Sequence, residues 1–213
     1  MKVTYISHMG SDDTVVDAAR VSFARKAAEY APEQNEKLIR YLALHGHWTP
    51  FGHPQITFHI EAPIFVARQL VKHQIGLVWN EVSRRYIDNK PEFFMPRSWR
   101  PRAKNNKQGS VRDDQITQTR TAYTIYKDAL KPVVDAYDDL LALGVAPEQA
   151  RMILPLSSMT EWYWTGSLAA WGRVYQLRSG DGAQEETSEI AEDIGEIMSE
   201  LYPVSWKELT NAS

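Results

Sequence analysis

The sequence predicts one domain that mixes short strands with long helices, and three observations point there. Short segments, Lys2 to Ile6 and Gln55 to Ile60, alternate in polarity and read as strands, because a period of two buries one face. Longer segments, Asp113 to Leu143 and Ala183 to Leu201, carry their apolar residues at helical spacing. No repeat, low-complexity tract or linker divides residues 1–213, and 43% hydrophobic content is enough for one substantial core.

Bulk composition removes several functions. A net charge of -3 does not suit a basic nucleic-acid coat. The absence of cysteine rules out disulfides, thiolate metal sites and a cysteine nucleophile. No apolar run approaches the roughly 18 residues of a membrane span. Met1-Lys2-Val3 opens no signal peptide, so a cytoplasmic protein without membrane or nucleic-acid partners is expected.

Taken in order, Lys2 to Ile6 is the first strand. Ser11 caps a helix that opens on Asp12 and Asp13, which suit the helix dipole. That helix runs into Ala18 to Ala24, where Val21 and Phe23 are expected in the core and Ser22 is either a ligand contact or a local backbone partner. Pro32 fits the first turn of a second helix through Leu38, Ile39, Tyr41 and Leu42, with Gly46 as its stop. The four histidines between His45 and His59 match neither a His-Glu-x-x-His pattern nor a facial triad, so no metal is expected.

Pro63 begins a helix in which Arg68 and Lys72, and Gln69 and His73, form pairs one turn apart. Asn89 to Arg102 reads as an ordered loop rich in proline and aromatics. The cations from Arg97 to Arg112 read as a solvated or partner-facing run, since no recognition motif accompanies them. Asp113 to Leu143 is one long helix with Pro132 as a kink or break, and a short helix follows at Val145 to Arg151. Leu168, Trp171, Val174 and Tyr175 form a core stripe, among which Arg173 and Arg178 are hard to explain as surface. The acidic face of Ala183 to Leu201 is expected to be solvated; Pro203 ends that helix and Ser205 to Ser213 is expected to fray.

One stretch does not read as plain scaffold. From Arg68 to Tyr86 the chain runs RQLVKHQIGLVWNEVSRRY, mixing cations, amides, a histidine and an acid with Leu77, Val78 and Trp79. Such density suits a site for a polar, anionic ligand, because buried polar groups must find partners. The stretch resembles the signature of the flavin-dependent thymidylate synthases: Arg68-Gln69, then Lys72-His73-Gln74, then Asn80-Glu81-Val82-Ser83-Arg84-Arg85-Tyr86. Further strings are similar in the same order: Ala18 to Phe23, Gly46-His47 with Thr49-Pro50 and His53, Arg151 with Leu154-Pro155-Leu156, Thr160, Trp164-Thr165, Leu177-Arg178 and Ala183-Gln184. Several strings in one order are more specific than any one.

The resemblance implies an α+β protomer with a small sheet packed by long helices, a single functional domain over residues 1–213, and a homotetramer with shared active sites. It implies reductive methylation of dUMP to dTMP, with methylenetetrahydrofolate as carbon donor and FAD, reduced by NADPH, as hydride source. The better-known thymidylate synthases use a cysteine thiolate, which this chain lacks. Here Arg178 is the implied catalytic residue, polarising the uracil ring by stabilising negative charge at N3 and its carbonyls.

Ser83 is the second candidate, as nucleophile or as an orienting hydrogen bond; with Glu81, Arg84 and Arg85 as its nearest sequence neighbours, a dUMP contact is favoured over a nucleophile. Gln69, Lys72, Glu81, Val82, Ser83, Arg84, Arg85, Arg151 and Arg178 are the implied dUMP set, with Arg84, Arg85 and Arg151 on the phosphate and Gln69 near the base. Ser22, His47, Thr49, Lys72, His73, Gln74, Glu81 and Arg173 are the implied flavin set.

The sequence also departs from the family pattern. Lys72 and Gln74 stand where arginines are usual, and the spacer to the serine is one residue longer. Ser167 and Ala169 replace an Asn-x-Arg pair, and Gly182 replaces a histidine. These changes keep open an alternative, a nucleotide- and flavin-binding protein with impaired catalysis.

Overall fold

Four strands, β1 (Lys2–Met9), β2 (Gln55–Pro63), β3 (Leu77–Glu81) and β4 (Met159–Ser167), form one sheet in the order β1-β2-β4-β3. In this computed structural model residues 1–87, 89–104, 110–111, 115–180 and 182–211 are described. Among them are eight α-helices: α1 (Asp12–Arg20), α2 (Pro32–Leu44), α3 (Ile64–Leu70), α4 (Thr119–Ala142), α5 (Pro147–Ala150), α6 (Leu168–Arg178), α7 (Glu185–Leu201) and α8 (Pro203–Asn211). The α+β class implied by the resemblance is therefore the class observed.

The chain gathers into two compact units. The first comprises Met1–Ile60, Leu70–Asn80 and Trp162–Ser213. Its core is built on alternation: Ile56, Phe58 and Ile60 of β2 and Trp162 and Trp164 of β4 are buried. Trp79 of β3 stacks on Trp162 with ring centroids 4.3 Å apart, and Trp164 meets Trp171 of α6 edge to face at 4.7 Å. The Trp171 indole donates to the Gly166 carbonyl at 3.1 Å, which satisfies its polar end inside the core. Thr57 Oγ1 lies 2.9 Å from Thr165 Oγ1 and His59 rests against Tyr163, so β2 and β4 run antiparallel. Helices α6, α7 and α8 pack against one another, α2 packs on α8, and α1 on α2.

The second unit comprises Glu61–Gln69 and Glu81–Glu161. Here α4 packs on α5 and on the turn Arg151–Ile153. The Pro-rich loop is ordered as expected: Phe93 bridges Ser158, Met159 N–H donates to Glu92 O at 2.8 Å, and Tyr126 Oη of α4 donates to Phe94 O at 2.8 Å.

Several expectations need correction. Val21 and Phe23 are not core; they sit in a 3-10 turn and are 70% and 78% exposed, because α1 ends at Arg20 and the chain turns through left-handed Ala24. Helix α3 stops at Leu70, so Lys72 and His73 lie beyond it and the two helical pairs do not form. Helix α4 runs from Thr119 through Pro132 without a break. Residues Lys107, Arg112 and Asp113, assigned from sequence to the basic run and to this helix, lie outside the described residues.

Glu186, on the helix face expected to be solvated, is 6% exposed. Ala212 and Ser213 lie outside the described residues; the described part of the tail, residues 205–211, does not fray but belongs to α8, with Trp206 buried against Tyr175. Its start is held from a distance: the Asp12 carboxylate accepts the N–H groups of Val204 and Ser205 at 3.0 and 2.9 Å. These are first-turn donors that no helical carbonyl can reach. Asp12→Ala should therefore lower unfolding stability by about 1–3 kcal/mol, the usual range for charged hydrogen bonds. Urea melts of the two proteins would check this; an unchanged midpoint would show that α8 docks without the cap.

Candidate functional site

The sequence-predicted residues divide between the two units, and each set is built differently. In the first unit the loop from Val71 to Gly76 carries Lys72, His73 and Gln74. His73 N–H donates to Leu70 O at 3.0 Å and Leu77 N–H to Gln74 O at 3.1 Å, which folds the segment into two tight turns. Gly76 has φ +76°, a conformation that favours glycine, and its carbonyl accepts Ser167 N–H at 3.1 Å. A Cβ at Gly76 would stand 3.2 Å from Ala170 Cβ, and one at Gly166 would overlap the Leu77 side chain. Small residues thus let the loop seat directly on the start of α6.

Two arginines of α6 hold this loop. Arg173 donates to Ile75 O at 2.8 Å. Arg178, in the last turn, donates through Nε to His73 Nε2 at 2.9 Å. A guanidinium cannot accept, so the half-buried imidazole accepts at Nε2 and carries its proton on Nδ1. Burial, and then the charges of Arg178 and Arg173, hold the His73 pKa below its ordinary value. Ser167 and Ala169, the replaced pair, have structural work: Ser167 Oγ accepts Ala170 N–H at 3.3 Å as the cap of α6, and Ala169 is buried.

The remaining members of this set are exposed. Lys72 and Gln74 project from the loop, Ser22 lies in the turn after α1, and His47 and Thr49 follow α2. Thr49 opens a 3-10 turn, Thr49–Gly52, that packs on α1 and α6.

In the second unit, Glu81, Val82, Arg84 and Arg151 come together in a cleft of about 150 Å³, with Thr160 and the apolar Ile64, Ile87, Leu154 and Met159 completing its wall. A second cleft of about 250 Å³ shares Val82, Arg84, Ile87, Met159 and Thr160. The β3 to β4 ladder reaches this unit: Val82 N–H donates to Glu161 O at 3.0 Å. Both cleft arginines are steadied by main-chain carbonyls, Arg84 through a terminal N–H on Asn89 O at 2.9 Å and Arg151 through Nε on Glu148 O at 3.3 Å. Guanidinium groups oriented this way suit a phosphate or carboxylate.

Gln69, Ser83 and Arg85 do not line the 150 Å³ cleft. Arg85 pairs with Glu148 at 3.3 Å on the surface, an ion pair of small energetic weight. Ser83 Oγ accepts Arg85 N–H at 3.3 Å, and among the described residues no carboxylate or imidazole hydrogen-bonds its hydroxyl. Activation of a serine needs such a base, so the local geometry favours a contact role.

Thr160 was given no role by sequence reasoning. Its signal was present: it is the polar member of an alternating inward series, Thr160, Trp162, Trp164. What hid it was that the segment did not read as a strand.

A cleft lined by two guanidiniums, each held by a main-chain carbonyl, has the chemistry of a site for an anionic ligand. Comparison with known proteins narrows this class. Residues 4–204 match the family model described as thymidylate synthase complementing protein, Thy1. The chain is 39% identical over 198 residues to the flavin-dependent thymidylate synthase of Thermosipho africanus, covering 93% of this chain and 86% of that one. With a flavin-dependent thymidylate synthase of Thermus thermophilus it shares 38% identity over 207 residues, 96% and 73% of the two chains. A crystal structure of the UMP/dUMP methylase PolB from Streptomyces cacaoi, bound with 5-Br dUMP, superposes with a TM-score of 0.89 at 29% identity over 98% of this chain and 94% of that one. The chain belongs to the family of flavin-dependent thymidylate synthases.

The His73 pair makes a pH prediction. A histidine whose pKa is lowered on folding takes up protons preferentially when unfolded. Its contribution to stability is intact above pH 6.5, the unfolded value, and is lost as pH falls toward the lower folded value. His73→Asn should remove this part of the slope. Urea midpoints of both proteins between pH 7.5 and 5 would test it, and parallel curves would count against the burial of a neutral imidazole.

Proposed function

We propose that this chain catalyses the reductive methylation of dUMP to dTMP, with the carbon from methylenetetrahydrofolate and with FAD as flavin. The observation that carries this reading is the cleft in which Arg84, Arg151, Glu81 and Val82 meet, since it offers two oriented cations and a carboxylate to one ligand. A nucleoside monophosphate presents the complementary pair, a phosphate dianion and a base with an N–H group. The names of the relatives and the bound 5-Br dUMP of the PolB structure support the same substrate class.

The donor set fits a flavin dinucleotide. Among the described residues, the side chains of Ser22, Thr49, Lys72 and Gln74 make no hydrogen bond within the chain, and such uncommitted donors suit a cofactor rich in acceptors. With His47, His73, Glu81 and Arg173 they are the residues that would hold FAD. When bound, FAD reduced by NADPH supplies the hydride that completes the methyl group.

The chain's own contribution is binding and polarisation. Arg84 and Arg151 hold the phosphate, with Arg85 at lower weight because Glu148 already engages it. Ser83 and Gln69 orient the nucleotide. Arg178 presents a permanent positive charge whose plane is fixed through Nε by His73, so little reorganisation is needed as negative charge develops at N3 of the base. That charge raises electron density at C5, the carbon that must attack the one-carbon unit, without a thiolate at C6.

Arg178→Ala should keep the fold and retain flavin, yet lower dTMP formation by about a hundredfold or more. A dUMP-dependent turnover assay beside the visible spectrum of the desalted protein reads both, and unchanged turnover would defeat the mechanism. If only the flavin spectrum appears, with no dTMP formed by the unaltered chain, the catalytically impaired binder becomes the better reading.

We also infer a homotetramer with shared sites, because Val21, Phe23, Ile75, Val78 and Leu177 are large apolar residues left exposed on this chain. Light scattering should give the mass of four chains, and Phe23→Asp should shift it downward. A monomeric mass for the unaltered protein would exclude the assembly.

A further inference from the structure

Thr160 is a polar residue on the buried side of β4, 8% exposed. Its hydroxyl lies 2.7 Å from Glu81 Oε1, and because an ionised carboxylate only accepts, Thr160 donates. Both residues line the cleft that holds Arg84 and Arg151. A glutamate at the end of a strand has three side-chain torsions, and the placement of its carboxylate decides whether it neutralises a neighbouring guanidinium or meets a donor on the ligand. A short bond from a rigid, β-branched and buried donor fixes where Oε1 stands.

We propose that Thr160 is the positioning residue for Glu81 in nucleotide binding. Its hydroxyl pins Oε1 to the cleft wall, which sets the carboxylate for a donor on the ligand and keeps Arg84 and Arg151 for the phosphate. This rests on the reading of the cleft as the site of a nucleoside monophosphate. Thr160 touches no reacting atom; it acts through Glu81.

The test uses the full-length, flavin-loaded protein with dUMP as the probe. Thr160→Val keeps the shape and removes the donor, and Thr160→Ser restores it. Titration calorimetry should show dUMP affinity about tenfold weaker in Thr160→Val and within about twofold of the parent in Thr160→Ser, with the KM for dUMP rising in step and kcat falling less. In a Glu81→Ala background, Thr160→Val should add no further loss, since the acceptor of the Thr160 hydroxyl is already gone.

If Thr160→Val fails to fold, Thr160→Ala is read by the same criteria. Parent-like affinity in a folded Thr160→Val protein overturns the proposal, as does full additivity with Glu81→Ala. An unaltered protein that binds no dUMP overturns the nucleotide reading itself, a result distinct from a parent that binds and a variant that binds equally.

Discussion

The register of β4 is the constraint on which most of this structure depends. β4 lies between β2 and β3 in the sheet, and from Met159 to Gly166 it alternates between inward and outward residues. In the first unit that register puts Trp162 against Trp79 and Trp164 against Trp171. In the second it puts Thr160 against Glu81. A slip of one residue would exchange the faces, bringing Glu161 and Tyr163 inward and removing the cleft hydroxyl together with the core. One pairing therefore serves both packing and chemistry.

The charged groups are organised by a shared device. Arg84, Arg151, Arg173 and Arg178 each spend at least one N–H on a fixed acceptor: a carbonyl for three of them and an imidazole for Arg178. A cation oriented in advance loses less conformational entropy when a ligand arrives, and its charge cannot be removed by titration. The imidazole is the sensitive partner, because it can accept from Arg178 only while neutral. Burial favours that neutral state.

The departures from the family pattern acquire different meanings once placed in the fold. Ser167 and Ala169 are consistent with their surroundings, one capping α6 and the other packed inside it. Lys72 and Gln74 remain on an exposed loop whose backbone is held by turns, by Gly76 and by Arg173, so the loop's shape does not depend on either side chain. Nothing in the structure explains Gly182.

By itself the sequence determined the mix of strands and long helices, the helices with clean apolar stripes, the strand at Gln55 to Ile60 and the stretch where chemistry concentrates. These are local signals: periodicity, caps and the density of polar side chains can be read without knowing what lies opposite. It did not disclose β3 and β4, because runs such as Leu77 to Glu81 and Met159 to Ser167 mix tryptophan, acid and glycine, and their alternation has meaning only beside partner strands. Nor did it show that Val21 and Phe23 stay exposed, that Asp12 caps a helix far along the chain, or that Thr160 meets Glu81. Those depend on contacts between residues distant in sequence, and only tertiary packing decides which groups meet.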